Sequence, residues 1–139
     1  MKKLNLKAEL LVLCDSAFLS QENKLNIIGI FDQIFAAQIP SNYLKMSVAA
    51  VIVGEPETEH TVKLSIEDPN HKKIIIPELR AKLGNNGKTN IISELGNFPL
   101  PETGTYKIIL EADGELLGTR EFSVGHVNGS DTKVSGLAN

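Results

Sequence analysis

Hydrophobic residues along this chain recur at the spacing of β-strands rather than of helices. In residues 60–67 apolar and polar side chains alternate strictly, which is the pattern of an antiparallel strand with one buried face. Residues 48–53 are apolar throughout, as expected for a central strand that is covered on both faces. No segment keeps an apolar period of about 3.6 residues. The pattern therefore predicts little or no helix.

Turn-forming residues separate the apolar segments at short intervals. Strands are predicted over residues 7–14, 25–31, 34–39, 43–53, 60–67, 72–76, 79–83 and 89–95, with a final hairpin within 106–124. Eight to ten short strands with turns about every 8–12 residues are typical of a sandwich. We therefore expect an all-β, antiparallel, immunoglobulin-like β-sandwich.

The last hairpin carries the clearest local signals. Residues 98–106 read Phe-Pro-Leu-Pro-Glu-Thr-Gly-Thr-Tyr, which predicts a tyrosine corner. In such a corner the buried ring of Tyr106 bonds a backbone group a few residues upstream through its hydroxyl. Gly104 supplies backbone freedom, and Pro99 and Pro101 keep the approach out of a sheet interior. Asp113-Gly114 matches the two-residue hairpin turn, because both positions of that turn favour positive φ.

Two groups of motifs are shared with a known family. Residues 13–17 read Leu-Cys-Asp-Ser-Ala and residues 24–31 read Lys-Leu-Asn-Ile-Ile-Gly-Ile-Phe, while Gly104–Tyr106 and the Asp113-Gly114 turn lie near the other end. In this order and spacing the chain resembles a family of uncharacterised small bacterial proteins. The resemblance covers residues 7–124. It implies an immunoglobulin-like sandwich of unknown function with no assigned catalytic residues.

The composition is that of one ordinary globular domain. The chain has 139 residues, of which 42% are hydrophobic and 22% are charged. We predict a single sandwich domain over residues 1–125 and a flexible, polar, Gly-rich tail over residues 126–139. The net charge of −3 provides no basic surface for nucleic acid or for an anionic membrane. No apolar run approaches the roughly 20 residues of a membrane span.

The compartment is predicted from the cysteine count and from the N-terminal segment. Cys14 is the single cysteine, so no internal disulfide is possible. The apolar run of residues 10–14 is too short for a secretory signal peptide. Both observations favour a reducing cytoplasm, and the family resemblance implies that it is a bacterial one.

Several residues of the chain are candidates for catalysis or metal binding. Cys14 would be a nucleophile if His60, His71 or His126 lay beside it, but its place at the end of an apolar strand favours a buried structural thiol. The three histidines show no metal-ligand spacing. We therefore predict no catalytic, cofactor-binding or metal-binding residue, and a non-enzyme.

Asp15 and Asp32 each follow an apolar strand. At neighbouring strand ends two carboxylates would bind Ca²⁺ or act as an acid/base pair, whereas the commoner role of such residues is to cap turns. A hydrolase that uses Asp15 and Asp32, or Cys14, is therefore the lowest-ranked hypothesis.

The leading functional hypothesis is a non-catalytic interaction or accessory module. Its expected partner is another protein, or a second copy of the chain, bound at a sheet edge. Residues 72–76, Lys-Lys-Ile-Ile-Ile, are the strand predicted to form such an edge. The alternative is a sandwich that binds a small ligand or a metal ion.

Overall fold

The computed structural model describes residues 5–127, and they form two β-sheets packed face to face. The ten strands are β1 (Lys7–Leu19), β2 (Leu25–Ile30), β3 (Gln33–Ala36), β4 (Ser41–Val53), β5 (Glu59–Glu67), β6 (Lys73–Ile75), β7 (Leu79–Lys82), β8 (Lys88–Leu100), β9 (Gly104–Ala112) and β10 (Glu115–His126). The predicted all-β sandwich is confirmed. Over these described residues, no helix has the length and apolar character needed to cross a bilayer.

The first sheet has four antiparallel strands in the order β2-β1-β4-β8. Three of them contain 13 residues each, so they are longer than the short strands predicted. The fully apolar part of β1 is explained by burial on both faces. Leu11 and Leu13 belong to the main core, whereas Val12 and Cys14 pack into a second apolar cluster.

The second sheet has the order β3-β10-β9-β5-β6, and β7 also pairs with β5. Among the described residues this sheet also contains a parallel pair, β3 with β10, beside the predicted antiparallel pairs. The chain leaves the first sheet after β2, and the carbonyl oxygen of Asp32 accepts a hydrogen bond from the Ser123 amide at 2.9 Å. This contact starts β3 beside β10, in the sheet opposite to β2.

The main core lies between the two sheets. Its largest fully buried side chains include Leu13, Met46, Ile66, Leu110 and Tyr106. They come from strands of both sheets and interdigitate at the sandwich interior, as inward-facing side chains do in packed sheets. Hydrophobic burial here is the main source of stability.

A third layer covers part of the outer surface of the first sheet. The outer cluster, formed by Val12, Cys14 and Ala49, is at most 3% exposed although it lies outside the main core. Ala17 and Ile27, from opposite strands of the β1–β2 hairpin, pack against it. The hairpin therefore folds back over its own sheet.

The strand pairing of β1 and a cleft near the hairpin tip show the same fold-back of the hairpin. β1 pairs with β4 only as far as Cys14, and beyond that residue it pairs with β2 alone. Leu19 and Asn23, near the hairpin tip, line one cleft together with Val51 and Asn90. The free end of the hairpin thus reaches across β4 to β8.

Two predicted boundaries need correction. β8 continues through Pro99, which pairs with Asn42, so the corner begins after Leu100 rather than at Phe98. Proline is tolerated there because β8 is the last strand of its sheet. β10 extends to His126, one residue past the predicted domain end. The rest of the predicted tail, residues 128–139, lies outside the described residues.

Candidate functional site

β2 forms an open backbone edge of the fold. This strand ends the four-stranded sheet, so its outer side has no strand partner within residues 5–127. Its sequence, Leu-Asn-Ile-Ile-Gly-Ile, contains no ionisable side chain. Ile28 and Ile30 are 55% and 56% exposed, which is unusual for isoleucine. The strand therefore combines free backbone groups with exposed apolar side chains.

The hairpin that carries β2 is shaped by a turn and by a bend. At the turn, the Ser20 amide donates to the Lys24 carbonyl at 2.9 Å, and Asn23 takes a φ of 62°. At the bend, Gly29 has a φ of 71°, and a Cβ at this position would overlap the carboxylate of Asp15. A glycine is favoured there, because a larger side chain would meet the Asp15 side chain at an unfavourable φ.

An exposed aromatic side chain on β1 extends the apolar surface of β2. Phe18 lies opposite Asn26, and Ser16 lies opposite Ile28. Directly opposed residues on antiparallel strands share a face, so Phe18 and Ile28 are on the same side of the hairpin. Phe18 is 46% exposed. We call Phe18 and Ile28 the hairpin surface.

The other sheet edges are shorter or carry charge. The prediction that residues 72–76 form an edge strand is confirmed in place, since β6 ends the second sheet, but the strand spans only Lys73–Ile75. β3 has four residues. β8 contains Lys88, Glu94 and Pro99. Short length, charge and proline are the usual protections of sheet edges, and β2 lacks all three.

An open cleft of about 650 Å³ lies between β3 and the start of β4. Phe35 and Leu44, two of its lining residues, are 51% and 78% exposed. Tyr43 also lines it, and its ring lies 5.9 Å from that of Phe31. The volume falls within the range of small-molecule pockets, so the cleft is where the alternative hypothesis of a small ligand can be tested.

The two candidate aspartates have different surroundings. Asp15 lies against Gly29, and its charge joins burial in raising the pKa of Tyr43. Asp32 lines a smaller cleft together with Thr105 and Glu121. Across residues 5–127 there is no group of three or more His, Cys, Asp and Glu side chains that would hold a metal ion.

Cys14 has the surroundings of a structural thiol. It is 0% exposed, and its Sγ donates to the Ser47 carbonyl at 3.5 Å. Burial raises the pKa of the Cys14 thiol. A nucleophilic cysteine requires the opposite shift, since the thiolate is the reactive form.

The histidines are held in separate places. His71 contacts the Glu67 carboxylate through Nδ1 at 2.7 Å, and His126 is the last residue of β10. His60 belongs to a chain of hydrogen bonds that the sequence analysis missed. Its Nδ1 lies 2.6 Å from Oδ2 of Asp113, and its Nε2 lies 2.7 Å from Oγ1 of Thr58.

The order Thr58, His60 and Asp113 is that of a nucleophile, a base and an orienting carboxylate. However, the Thr58 hydroxyl is part-buried and donates its proton to the Glu55 carbonyl at 2.7 Å. The Asp113 carboxylate also accepts the Thr61 amide at 3.0 Å. The His60 and Thr61 hydrogen bonds lower the pKa of Asp113. This series of hydrogen bonds thus joins the β4–β5 connection to the β9–β10 turn.

No local sequence pattern indicates this series of hydrogen bonds. His60 and Asp113 are separated by 53 positions, and Asp113 already has a sufficient role in its turn. In that turn Asp113 and Gly114 have φ values of 51° and 82°, which confirms the predicted two-residue hairpin.

Comparison with known proteins gives a family and a fold. The model of a family of unknown function, DUF6941, matches residues 9–125. No curated protein sequence is significantly similar to this chain.

Several solved structures share the fold at low identity. The Pseudomonas fluorescens alkylpurine DNA glycosylase AlkC, bound to DNA containing an abasic site analog, aligns at 13% identity and a TM-score of 0.59, covering 86% of this chain and 30% of that chain. The β-glucosidase EmGH1 from Erythrobacter marinus aligns at 13% identity and a TM-score of 0.55, covering 87% and 15%. An immunoglobulin-like protein from Pseudomonas aeruginosa aligns at 15% identity and a TM-score of 0.47, covering 86% and 96%.

The first two alignments show a shared fold alone. This chain spans less than a third of the glycosylase and about a sixth of the glucosidase. At such low identity the activities of those enzymes carry no information about this chain.

Proposed function

We propose that this chain, which belongs to DUF6941, a family of unknown function, is a non-catalytic interaction module. It binds a protein through the open edge of β2. In this mode an extended segment of the partner adds a strand beside β2. Main-chain hydrogen bonds give affinity, and side-chain contacts give specificity. The observation that supports this proposal most directly is the exposure of β2. This six-residue edge strand has no charged side chain, and more than half of the surface of Ile28 and of Ile30 is exposed.

Two features of the structure support binding over nucleophilic catalysis. Cys14 is fully buried, and its pKa is raised rather than lowered. The hydroxyl of Thr58 already donates to the Glu55 carbonyl. A nucleophile needs a reactive atom that faces the substrate and an environment that favours its deprotonation.

The proposal includes a location in the bacterial cytoplasm. It is supported by the single cysteine of the chain, which is buried and carries a free thiol. Proteins of reducing compartments keep their thiols in this form.

Site-specific photocrosslinking tests the proposal. A photoreactive amino acid replaces Ile28 in the full chain, expressed in its native host, and a matched control carries it in place of Ile75 on β6. Both positions are exposed isoleucines on edge strands, at 55% and 59%. We expect a covalent protein adduct, identified by mass spectrometry, from position 28 and not from position 75.

The opposite result is equally clear. If position 28 gives no adduct, or if both positions give the same adducts at the same yield, the β2 edge does not have the proposed role.

A further inference from the structure

We infer that the occupant of the β2 edge is a second copy of this chain, related to the first by a two-fold axis beside Ile28. The inference rests on the proposed function and names its partner. Two-fold dimers are the commonest assemblies of soluble proteins, and they require a surface that is complementary to itself. The sequence around β2 meets this requirement in one register.

Symmetry limits the registers that are possible. In an antiparallel pair, hydrogen-bonded and non-hydrogen-bonded residue pairs alternate along the strands. A two-fold axis must therefore pass beside a residue that faces its own copy. With the axis at Ile28, Asn26 faces Ile30 of the second copy, and the exposed side chains of Lys24 and Asp32, which lie just outside the two ends of the strand, come next to each other across the interface.

The charges that flank β2 favour this register. Lys24 and Asp32 are both exposed, one just before the strand and one shortly after it. Pairing about Ile28 forms two Lys24–Asp32 contacts between the copies, and opposite charges across strands are stabilising. In the single chain Lys24 contacts Glu22 at 3.1 Å, but both side chains are about three-quarters exposed. Such surface pairs are weak, so Lys24 is free to turn toward the second copy.

The neighbouring registers are unfavourable. With the axis at Ile27, Asp32 faces Glu22 of the second copy, and two like charges meet. With the axis at Gly29, Lys24 faces Ile34, which is only 4% exposed and belongs to the core between the sheets. The charge pattern thus selects Ile28 as the centre.

Apolar contact favours the same arrangement. The axis at Ile28 brings the two Ile28 side chains together on the face that also carries Phe18. Both are about half exposed in the single chain. Pairing covers them and joins the two four-stranded sheets into one continuous sheet, which removes the unprotected edge.

Charge reversal tests this register directly. Sedimentation equilibrium of the full chain is compared with that of Lys24→Asp, Asp32→Lys and the double variant, with Lys73→Asp on β6 as the control. We expect a concentration-dependent wild-type dimer. Each single reversal replaces two attractive contacts with two repulsive ones, so the dissociation constant rises about tenfold. In the double variant the contacts re-form with opposite signs, and dimerisation recovers to within about threefold of wild type.

Each outcome is decisive. A monomer at every concentration, or a dimer whose dissociation constant ignores both reversals, overturns the inference. So does a double variant that is no better than the single ones. If the wild type is monomeric while position 28 crosslinks a different protein, the second copy is excluded and the proposed interaction role stands. Loss of dimerisation in Lys73→Asp would also count against β2, since that change lies on another edge.

Discussion

Tyr106 shows how one side chain fixes a connection between the sheets. Its ring is 0% exposed and stacks on Phe122 with centroids 5.2 Å apart. Its hydroxyl donates to the Glu102 carbonyl at 2.7 Å, in the loop that joins β8 to β9. The predicted tyrosine corner is therefore confirmed. Burial raises the pKa of Tyr106, so the hydroxyl stays protonated as a donor.

Replacing Tyr106 by Phe keeps the ring and removes the hydroxyl. The Glu102 carbonyl then loses its donor, and we expect the free energy of unfolding to fall by about 1–3 kcal/mol. Urea denaturation measures this change. Tyr43→Phe is the matched control, because Tyr43 is only partly buried at the margin of the core and lines a cleft. An unchanged midpoint for Tyr106→Phe would show that the Tyr106 hydroxyl does not stabilise the corner.

The β1–β2 hairpin depends on the bend where Asp15 meets Gly29. The bend lets Ala17 and Ile27 cover the outer cluster and leaves Phe18 and Ile28 facing outward. Both the third layer of the fold and the candidate interaction surface therefore follow from the same bend.

Gly29→Ala tests the bend. The new Cβ would overlap the Asp15 carboxylate at a φ of 71°, whereas a Cβ at Gly114, with a φ of 82°, has nothing within 4 Å. Both variants carry the cost of a left-handed conformation, about 1–2 kcal/mol. We expect Gly29→Ala to lower the free energy of unfolding by roughly 1 kcal/mol more than Gly114→Ala does.

An Asp15→Ala background provides the control for this comparison. Removing the carboxylate should narrow the gap between the two alanine variants in urea titrations. If Gly29→Ala and Gly114→Ala lower the free energy of unfolding equally in the wild-type background, the overlap between the new Cβ and the Asp15 carboxylate is relieved without cost.

Taken as one molecule, the sandwich is held together where the chain passes from one sheet to the other. The Tyr106 corner fastens the β8–β9 connection, and the chain of Thr58, His60 and Asp113 fastens the β4–β5 connection. Both connections run from the four-stranded sheet to the six-stranded sheet. These polar contacts fix how the two sheets are joined around the apolar core.

The hydrogen bonds of Asp113 make the stability of the fold depend on pH. The pKa of Asp113 in the fold lies below its ordinary value of 3.8. The ionised Asp113 carboxylate therefore makes its full contribution to the free energy of unfolding above that ordinary pKa. The contribution is lost as the pH falls through the lower pKa of the folded state. Asp113→Asn retains a residue that tolerates positive φ but cannot ionise. We expect wild type to be more stable than Asp113→Asn at neutral pH, with the difference shrinking below about pH 3.8.

Urea titrations of both proteins from neutral to acidic pH measure this difference. His60→Ala is the companion variant, because it removes the main group that lowers the pKa of Asp113. In that background the Asp113→Asn change should have a smaller effect at every pH. A wild-type advantage that does not change with pH would contradict the role given to Asp113.

The sequence by itself determined the fold class, the family and the local motifs. Strand alternation, the Tyr106 corner and the Asp113-Gly114 turn depend on residues close together in the chain, so their physics is visible in short windows. The single buried thiol was predicted for the same reason. These features need only the two-residue period of strands and the φ preferences of a few side chains.

Only the tertiary structure decided which surfaces face solvent and which residues meet. The parallel β3–β10 pair, the fold-back of the hairpin and the contact between His60 and Asp113 join segments that are distant in sequence. β2 contains the same kinds of apolar residue as a buried strand, so its pattern alone does not indicate an open edge. Its exposure follows from its place at the end of a sheet, and that place is set by the packing of all the other strands.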